Sequence, residues 1–455
     1  MEGNYSYIEK ISYNKLIWLC GNKMLSFPEL INVIIAVSVL LLESIARVIA
    51  HLVRFLVPEA LTKSVLKLVS SYFPFKDGHK QDPVLDMDCA RLIRYRGYPV
   101  ELHTVETSDG FFITLFRIPN GRASIDRLPD QKTLSNKHPV FFMHGFLQSS
   151  EAWVLRDSKG CLPFILADEG YDVWLGNVRG NRYGYKHRYF SPRSRQFWNF
   201  GMDEMARIDL PIQLEYARKV SGASKITYIG FSQGTAIAFA AFSVLPDLAS
   251  KISLFVALAP STRVHGLKNP IIESLVACDP NIVYLIFGRR RLLSIALFWR
   301  RILPPDMFSH VIDISTRLLF GWKSENLSTK EKPRLYAHLY SYGSVKTMVH
   351  WFQVIVNSRF QMYDDQDAVT KKKYPGHLPP LYPVNQIGCP VALFFGGSDP
   401  LPDTEWLLHE INEPVYVHCQ EEYEHLDFQW AASAPKLVYP KIVELVHVHG
   451  NKETS

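Results

Sequence analysis

The sequence predicts a doubly wound α/β domain preceded by an apolar segment. Three observations carry that expectation: short apolar runs rich in β-branched and aromatic residues, periodic helical stretches alternating with them, and a serine turn set between one such run and a helix. At 455 residues the chain is long enough for several domains or for one elaborated α/β domain, so length alone decides nothing. Composition excludes more. With 47% apolar and 21% charged residues and no Gly, Ser or Gln bias, the chain is neither largely disordered, nor collagen-like, nor a coiled coil. A formal charge of +6 spread over this length does not mark a nucleic-acid partner, and no nucleic-acid-binding motif is present. Six cysteines without a C-x-x-C pair exclude zinc-ribbon and thioredoxin-like motifs. Neither a metal site nor a nucleotide cofactor is expected.

In chain order, residues 1–24 form a mostly polar N-terminal segment, and residues 25–57 are expected to be a membrane anchor helix. From Leu30 to Leu42 the chain is almost wholly apolar, while Glu43, Arg47, His51 and Arg54 interrupt the continuation to Val57. At 100° per residue those four gather on one stripe of a helix, so its second half is amphipathic. A tilted single-pass span is the first expectation, an interfacial or a soluble buried helix the alternatives. A cleaved signal peptide is not expected, because about 25 mostly polar residues precede the apolar run. Which membrane hosts the helix, endoplasmic reticulum, lipid droplet or another, stays open, as does use of the sequons at Asn4 and Asn326.

Residues 58–83 read as a linker. Beyond it, runs at 101–107 and 111–118 flank Ser108-Asp109-Gly110, a hairpin turn signal. Further strand-like runs follow at 140–144, 171–177, 226–230, 254–260, 391–397 and 415–419, with helical stretches at 202–220 and 233–245. Such continuous apolar strands suit a parallel sheet covered on both faces. The core thus occupies 84–264 and 386–447, followed by a tail at 448–455. Between 265 and 385 the alternation breaks down into Pro-punctuated segments rich in Trp, Phe, Leu and Arg, which reads as a cap insertion. Arg289, Arg290 and Arg291 with Arg300 and Arg301 read as a solvated helix face, with membrane-surface contact as the alternative.

The chemistry centres on Gly230-Phe231-Ser232-Gln233-Gly234, a G-x-S-x-G turn between strand and helix. Gly230 and Gly234 supply the room that such a sharp turn needs, and Ser232 is the candidate nucleophile. A hydroxyl needs a base, and the base needs an acid to hold its tautomer. Asp399, in GGSDP after the run 391–397, is the candidate acid, with Asp403 its rival; His425, in EHLDF, is the candidate base, with His418 its rival. An oxyanion would be met by the backbone N–H groups of Gln233 and of Phe146, in the loop after 140–144. His144 reads as a loop-packing residue, and Asn177, Arg179 and Asn181 in GNVRGNRYG as groups that satisfy turn backbone.

Tyr98-Pro99 with VETSDGFFITLFRIP, HGFLQSSEAWV, GYDVWLGNVRGNRYGYKH, FWNFGMDEMARIDLP, GFSQGTA, FFGGSDPL and EHLDFQW pace out residues 84 to 447. Together they resemble the acid lipase family of α/β-hydrolases, which includes gastric and lysosomal acid lipases, and especially its fungal membrane-anchored steryl ester hydrolase branch. The resemblance implies an α/β-hydrolase fold with a helical cap insertion and an N-terminal membrane-associated helix. It implies that Ser232, Asp399 and His425 form the triad and that Phe146 and Gln233 form the oxyanion hole. Phe231 stands where animal members commonly have His. The implied activity is hydrolysis of neutral lipid esters at a membrane or lipid droplet surface, through an acyl-enzyme. Steryl esters are the first choice and triacylglycerol the second. A catalytically silent lipid-binding member of the fold is the remaining alternative.

Overall fold

The computed structural model describes residues 82–122, 137–264, 270–292, 294–365 and 378–450. The anchor helix expected at 25–57, with the segment before it and nearly all of the linker after it, lies outside them. Among the described residues no helix is long and apolar enough to cross a membrane. The chain divides into two units, residues 1–77 with 268–289 and residues 78–267 with 290–455. In the first, the described part is a pair of helices, Pro270–Val276 and Pro280–Phe287, the second capped by the Asp279 carboxylate, which accepts from the Asn281 amide (2.8 Å).

The second unit is built on a nine-stranded sheet. Its strands are β1 (Glu101–Glu106), β2 (Phe111–Ile118), β3 (Pro139–Met143), β4 (Asp172–Leu175), β5 (Lys186–His187), β6 (Ile226–Phe231), β7 (Ile252–Leu258), β10 (Val391–Gly396) and β11 (Tyr416–Gln420). Two further short strands, β8 (Arg291–Leu292) and β9 (Gly343–Ser344), pair as a separate antiparallel ribbon. The main order is β1-β2-β4-β3-β6-β7-β10-β11, with β5 beside β2. From β4 to β11 all neighbours are parallel; β1, β2 and β5 pair antiparallel at one edge. The β1–β2 hairpin closes at the expected turn, where Gly110 takes φ 100° and its amide donates to the Thr107 carbonyl (2.9 Å).

The continuous apolar runs are explained by two cores, one on each face of the pleat. Ile229 and Phe231 of β6, with Val140, Phe142, Val256 and Phe394, enter one core; Ile226 and Tyr228, with Phe141, Met143, Phe255 and Leu393, enter the other. Helices α1 (Leu162–Asp168) and α6 (Tyr439–Gly450) close the first core, while α2 (Leu210–Ser221) and α3 (Gln233–Val244) close the second. Helix α6 runs three residues beyond the expected core boundary at 447.

Two local departures have identifiable causes. The stretch 202–220 is one helical region in pattern, but Met205–Asp209 winds as a π-helical turn before α2. Pro211 has no N–H for the carbonyl four residues earlier and its ring crowds that carbonyl, so the ladder widens there. The Arg run is not a helix face. Gly288, at φ 75°, ends the preceding helix, and Arg289 to Arg291 occupy an exposed turn and the start of β8. Arg300 and Arg301 do lie on a helix, Ser294–Ile302; Arg301 is exposed as expected, while Arg300 is half-buried and donates to the Leu85 carbonyl (2.7 Å). The insertion also supplies α4 (Pro305–Phe320), the short helix Lys332–Ala337 and α5 (Val345–Asn357).

At the C-terminal end of β10, a Cβ added at Gly396 would lie 2.0 Å from the Tyr423 carbonyl oxygen. That neighbour is backbone and cannot rotate away. Gly396→Ala is therefore expected to cost about 1–3 kcal/mol or more. Gly388, whose Cβ would meet only Ala249 at 3.8 Å, supplies the tolerant control for Ala substitution. Denaturant midpoints of the two variants check the contrast.

Candidate active site

Strand β6 delivers Ser232 at the C-terminal edge of the sheet. There the chain turns sharply into α3, with Ser232 at φ 50° and ψ −119°, a strained conformation for a residue with a side chain. The turn fits because the next element approaches closely: a Cβ at Gly234 would stand 2.5 Å from the Met143 carbonyl oxygen. The Ser232 amide donates back to Leu258 of β7 (3.0 Å), and the Thr235 hydroxyl donates to the Ser232 carbonyl (2.6 Å), so the strained turn is held on both sides.

Two other strand ends bring their side chains to this serine. Asp399 follows β10 and His425 follows β11. The Ser232 hydroxyl donates to His425 Nε2 (2.7 Å), and His425 Nδ1–H donates to Asp399 Oδ2 (2.6 Å), all three residues being buried. The other carboxylate oxygen accepts from the Leu401 amide (3.2 Å) and from the Trp322 indole N–H (3.3 Å). Such a chain can remove the serine proton as a bond to carbon forms, leaving the imidazolium opposite a carboxylate. The rivals are engaged elsewhere. Asp403 caps the helix Thr404–Glu410 by accepting from the Trp406 amide (3.1 Å) and faces Arg263, while His418 stays in β11 beside Gln420.

The loop after β3 begins next to the elbow, because Met143 pairs with Gly230. In it the Gly145 amide donates to Gln148 Oε1 (2.9 Å), and Leu147 takes φ 59°. The Phe146 and Gln233 amides, the expected oxyanion donors, have no intramolecular acceptor among the described residues. The Gln233 side chain is held by the Trp351 indole N–H of α5 (2.8 Å). His144 Nδ1–H donates to the Gly145 carbonyl (2.9 Å) and Nε2 accepts from Asn181 (3.1 Å); burial pushes its pKa down to about 4, so the ring stays neutral. Around it Asn177 and Asn181 serve backbone groups of residues 114, 150, 183 and 184, and Arg179 forms a buried bidentate pair with Asp209.

Residues 138–405 match the α/β hydrolase fold family, and residues 89–157 match the partial α/β-hydrolase lipase region. Human lysosomal acid lipase/cholesteryl ester hydrolase is 36% identical over 377 residues, covering 80% of this chain and 92% of that relative. The chain belongs to the acid lipase family of α/β-hydrolases. Human gastric triacylglycerol lipase, another similar member, is 35% identical over 81% of this chain and 93% of its own length. A Schizosaccharomyces pombe protein named as a probable lipase is 36% identical over 92% of this chain and 94% of its own. A solved structure from Sulfolobus solfataricus at 15% identity and TM-score 0.51, covering 77% of this chain and 93% of that one, shares the fold. As an acid lipase family member the chain is a carboxylic ester hydrolase.

The sequence pattern did not single out Trp322, Trp351, Glu424 or Asp427 by role, although the last two lie inside EHLDFQW. Asn326, flagged only as a sequon, uses its side-chain amide to donate to the Glu422 carbonyl (2.7 Å) and to Asp427 Oδ2 (2.8 Å). A glycan there would have to break into that pair of bonds. Asp427 Oδ2 also accepts from the Glu424 amide (2.7 Å), while its Oδ1 is buried without a partner among the described residues.

Burial, then the nearby charges of Glu424 and Asp399, push the Asp427 carboxyl up from 3.8 to about 6, against the bonds from Asn326 and Glu424. Because the folded value exceeds the unfolded one, the folded chain holds more protons between them, and stability falls as pH rises through that window. Asp427→Asn keeps an acceptor for both donors. It is expected to flatten the slope of stability between about pH 4 and pH 6, a difference of up to roughly 3 kcal/mol at neutral pH, measured by urea unfolding across that range.

Proposed function

We propose that this acid lipase family member cleaves neutral lipid esters through Ser232, His425 and Asp399. The observation that carries the proposal is the hydrogen-bonded chain from Ser232 Oγ to Asp399 at a strained strand-to-helix turn. Ser232 Oγ attacks the ester carbonyl carbon as its proton passes to His425 Nε2, and the Phe146 and Gln233 N–H groups meet the oxyanion. Collapse breaks the bond to the alcohol oxygen, which takes the proton from Nε2. Water, deprotonated by the same nitrogen, then releases the fatty acid and restores the serine.

Steryl esters are the proposed first substrate, on the resemblance to the steryl ester hydrolase branch. The names of the relatives support triacylglycerol equally, and comparing the two turnover rates separates them. The insertion would line the acyl and alcohol pocket, where binding of an almost wholly apolar substrate depends on buried area at about 25 cal/mol per Å². Residues 25–57 would hold the enzyme at a membrane or lipid droplet surface, supported by their apolar run and charged stripe.

Ser232→Ala and His425→Ala should each remove several orders of magnitude of turnover, and the double variant should lose little more, because such residues act as a unit. Hydrolysis of p-nitrophenyl butyrate measures this. Labelling by a serine-reactive fluorophosphonate, lost in Ser232→Ala, separates the enzyme from a silent lipid-binding member. For the anchor, the full chain should stay in the membrane pellet after alkaline carbonate extraction; release into the supernatant would reject a spanning helix.

A further inference from the structure

His425 is packed against two aromatic rings. Phe231 sits with its centroid 5.2 Å away at an interplanar angle of 52°. The Trp322 indole lies almost parallel to the imidazole, 5.0 Å away at 5°. The same indole sends its N–H to Asp399 Oδ1, while Oδ2 takes the His425 proton. One side chain therefore touches both the acid and the base of the relay, and Phe320 stacks behind it at 4.3 Å.

This placement is built in from the residues around Trp322. Lys323 and Ser324 present successive amides to the two oxygens of Glu424, each at 2.7 Å, and Ser324 takes φ 56° so that both N–H groups face one carboxylate. Glu424 immediately precedes His425 as Lys323 immediately follows Trp322. Asn326 adds its bonds to Glu422 and Asp427, and its carbonyl accepts from the Ala432 amide (3.2 Å). Five hydrogen bonds thus register the segment 323–326 against 422–432. A tryptophan serving only to fill space would need neither an indole N–H on the carboxylate nor a ring stacked parallel to the imidazole.

We propose that Trp322 is a positioning residue for the Asp399–His425 pair: its N–H fixes the rotation of the carboxylate, and its ring face backs the imidazole when that ring takes up the serine proton. The inference rests on the Ser232 relay proposed above. A fixed carboxylate keeps Nδ1 protonated and Nε2 aimed at Ser232. An aromatic face over the ring stabilises the imidazolium that forms when the serine proton is taken up.

Trp322→Phe preserves a stacking ring and removes the N–H; Trp322→Leu removes both. With full-length protein and p-nitrophenyl butyrate, Trp322→Phe should lower kcat about 2- to 10-fold at unchanged KM. Trp322→Leu should lower it further and shift the acid limb of the kcat/KM profile to lower pH, because the imidazolium loses its aromatic backing. Fluorophosphonate labelling should slow in parallel. Wild-type kcat in Trp322→Phe overturns the proposal, even where Trp322→Leu does not fold. A folded Trp322→Leu with an unmoved acid limb overturns it as well. Failure of the wild-type chain to label removes the Ser232 relay itself, whereas normal labelling of wild type and both variants removes only the role of Trp322.

Discussion

The site depends on backbone meeting backbone at one edge of the sheet. Three loops must converge where β6, β10 and β11 end, and two of them do so by contacts that leave no room for a Cβ, at Gly234 against Met143 and at Gly396 against Tyr423. Hydrogen-bond lengths near 2.7 Å between side chains of three different loops demand placement to a few tenths of an ångström. Parallel strands at a fixed spacing provide a stiff base for this, and the missing side chains let the loops use it. The strain at Ser232 is affordable for the same reason: α3 is buried almost throughout its length and cannot relax away from the sheet.

Crowding of carboxylates is the second constraint. Asp399, Glu424 and Asp427 all lie near His425, and in a buried setting each ionised group needs donors. Glu424 receives two backbone amides and Asp399 receives the imidazole, an indole and an amide. Asp427 is left with one oxygen unpartnered, and it is the one whose carboxyl burial pushes upward. The donors are thus concentrated on Asp399 and Glu424, and the cost falls on Asp427. The Asp399 carboxylate stands against Nδ1 of the ring that an ester-cleaving relay must pass through as an imidazolium.

What could be read from the residues follows from how local each signal is. The strands of the parallel core were legible because burial on both faces leaves an unbroken apolar run, and the arrangement of Ser232, Asp399 and His425 because each sits in a short stretch at a strand end. The π-helical turn was hidden behind a normal helical period, and Pro211 was its only trace. Trp322 and Trp351 were not legible by role, since their partners lie 77 and 118 residues away and nothing in FGWKS or VHWFQ differs from ordinary core packing. The Arg run misled because its flanks have helical periodicity, while one glycine at positive φ ends the helix before it. The anchor at 25–57 rests on sequence pattern alone.

One stretch of the insertion is bound to the segment that carries His425 and touches the Asp399–His425 pair. Moving residues 323–326 outward would break two amide bonds to the Glu424 carboxylate and two from Asn326, of which the charge-assisted ones are the stronger kind. It would also uncover the face of His425 on which Trp322 rests. This stretch is therefore held in register with the segment that carries His425. Sequence changes along 320–326 then act on the placement of the Asp399–His425 pair itself, through the indole that touches both residues and through the bonds that hold its segment against 422–432.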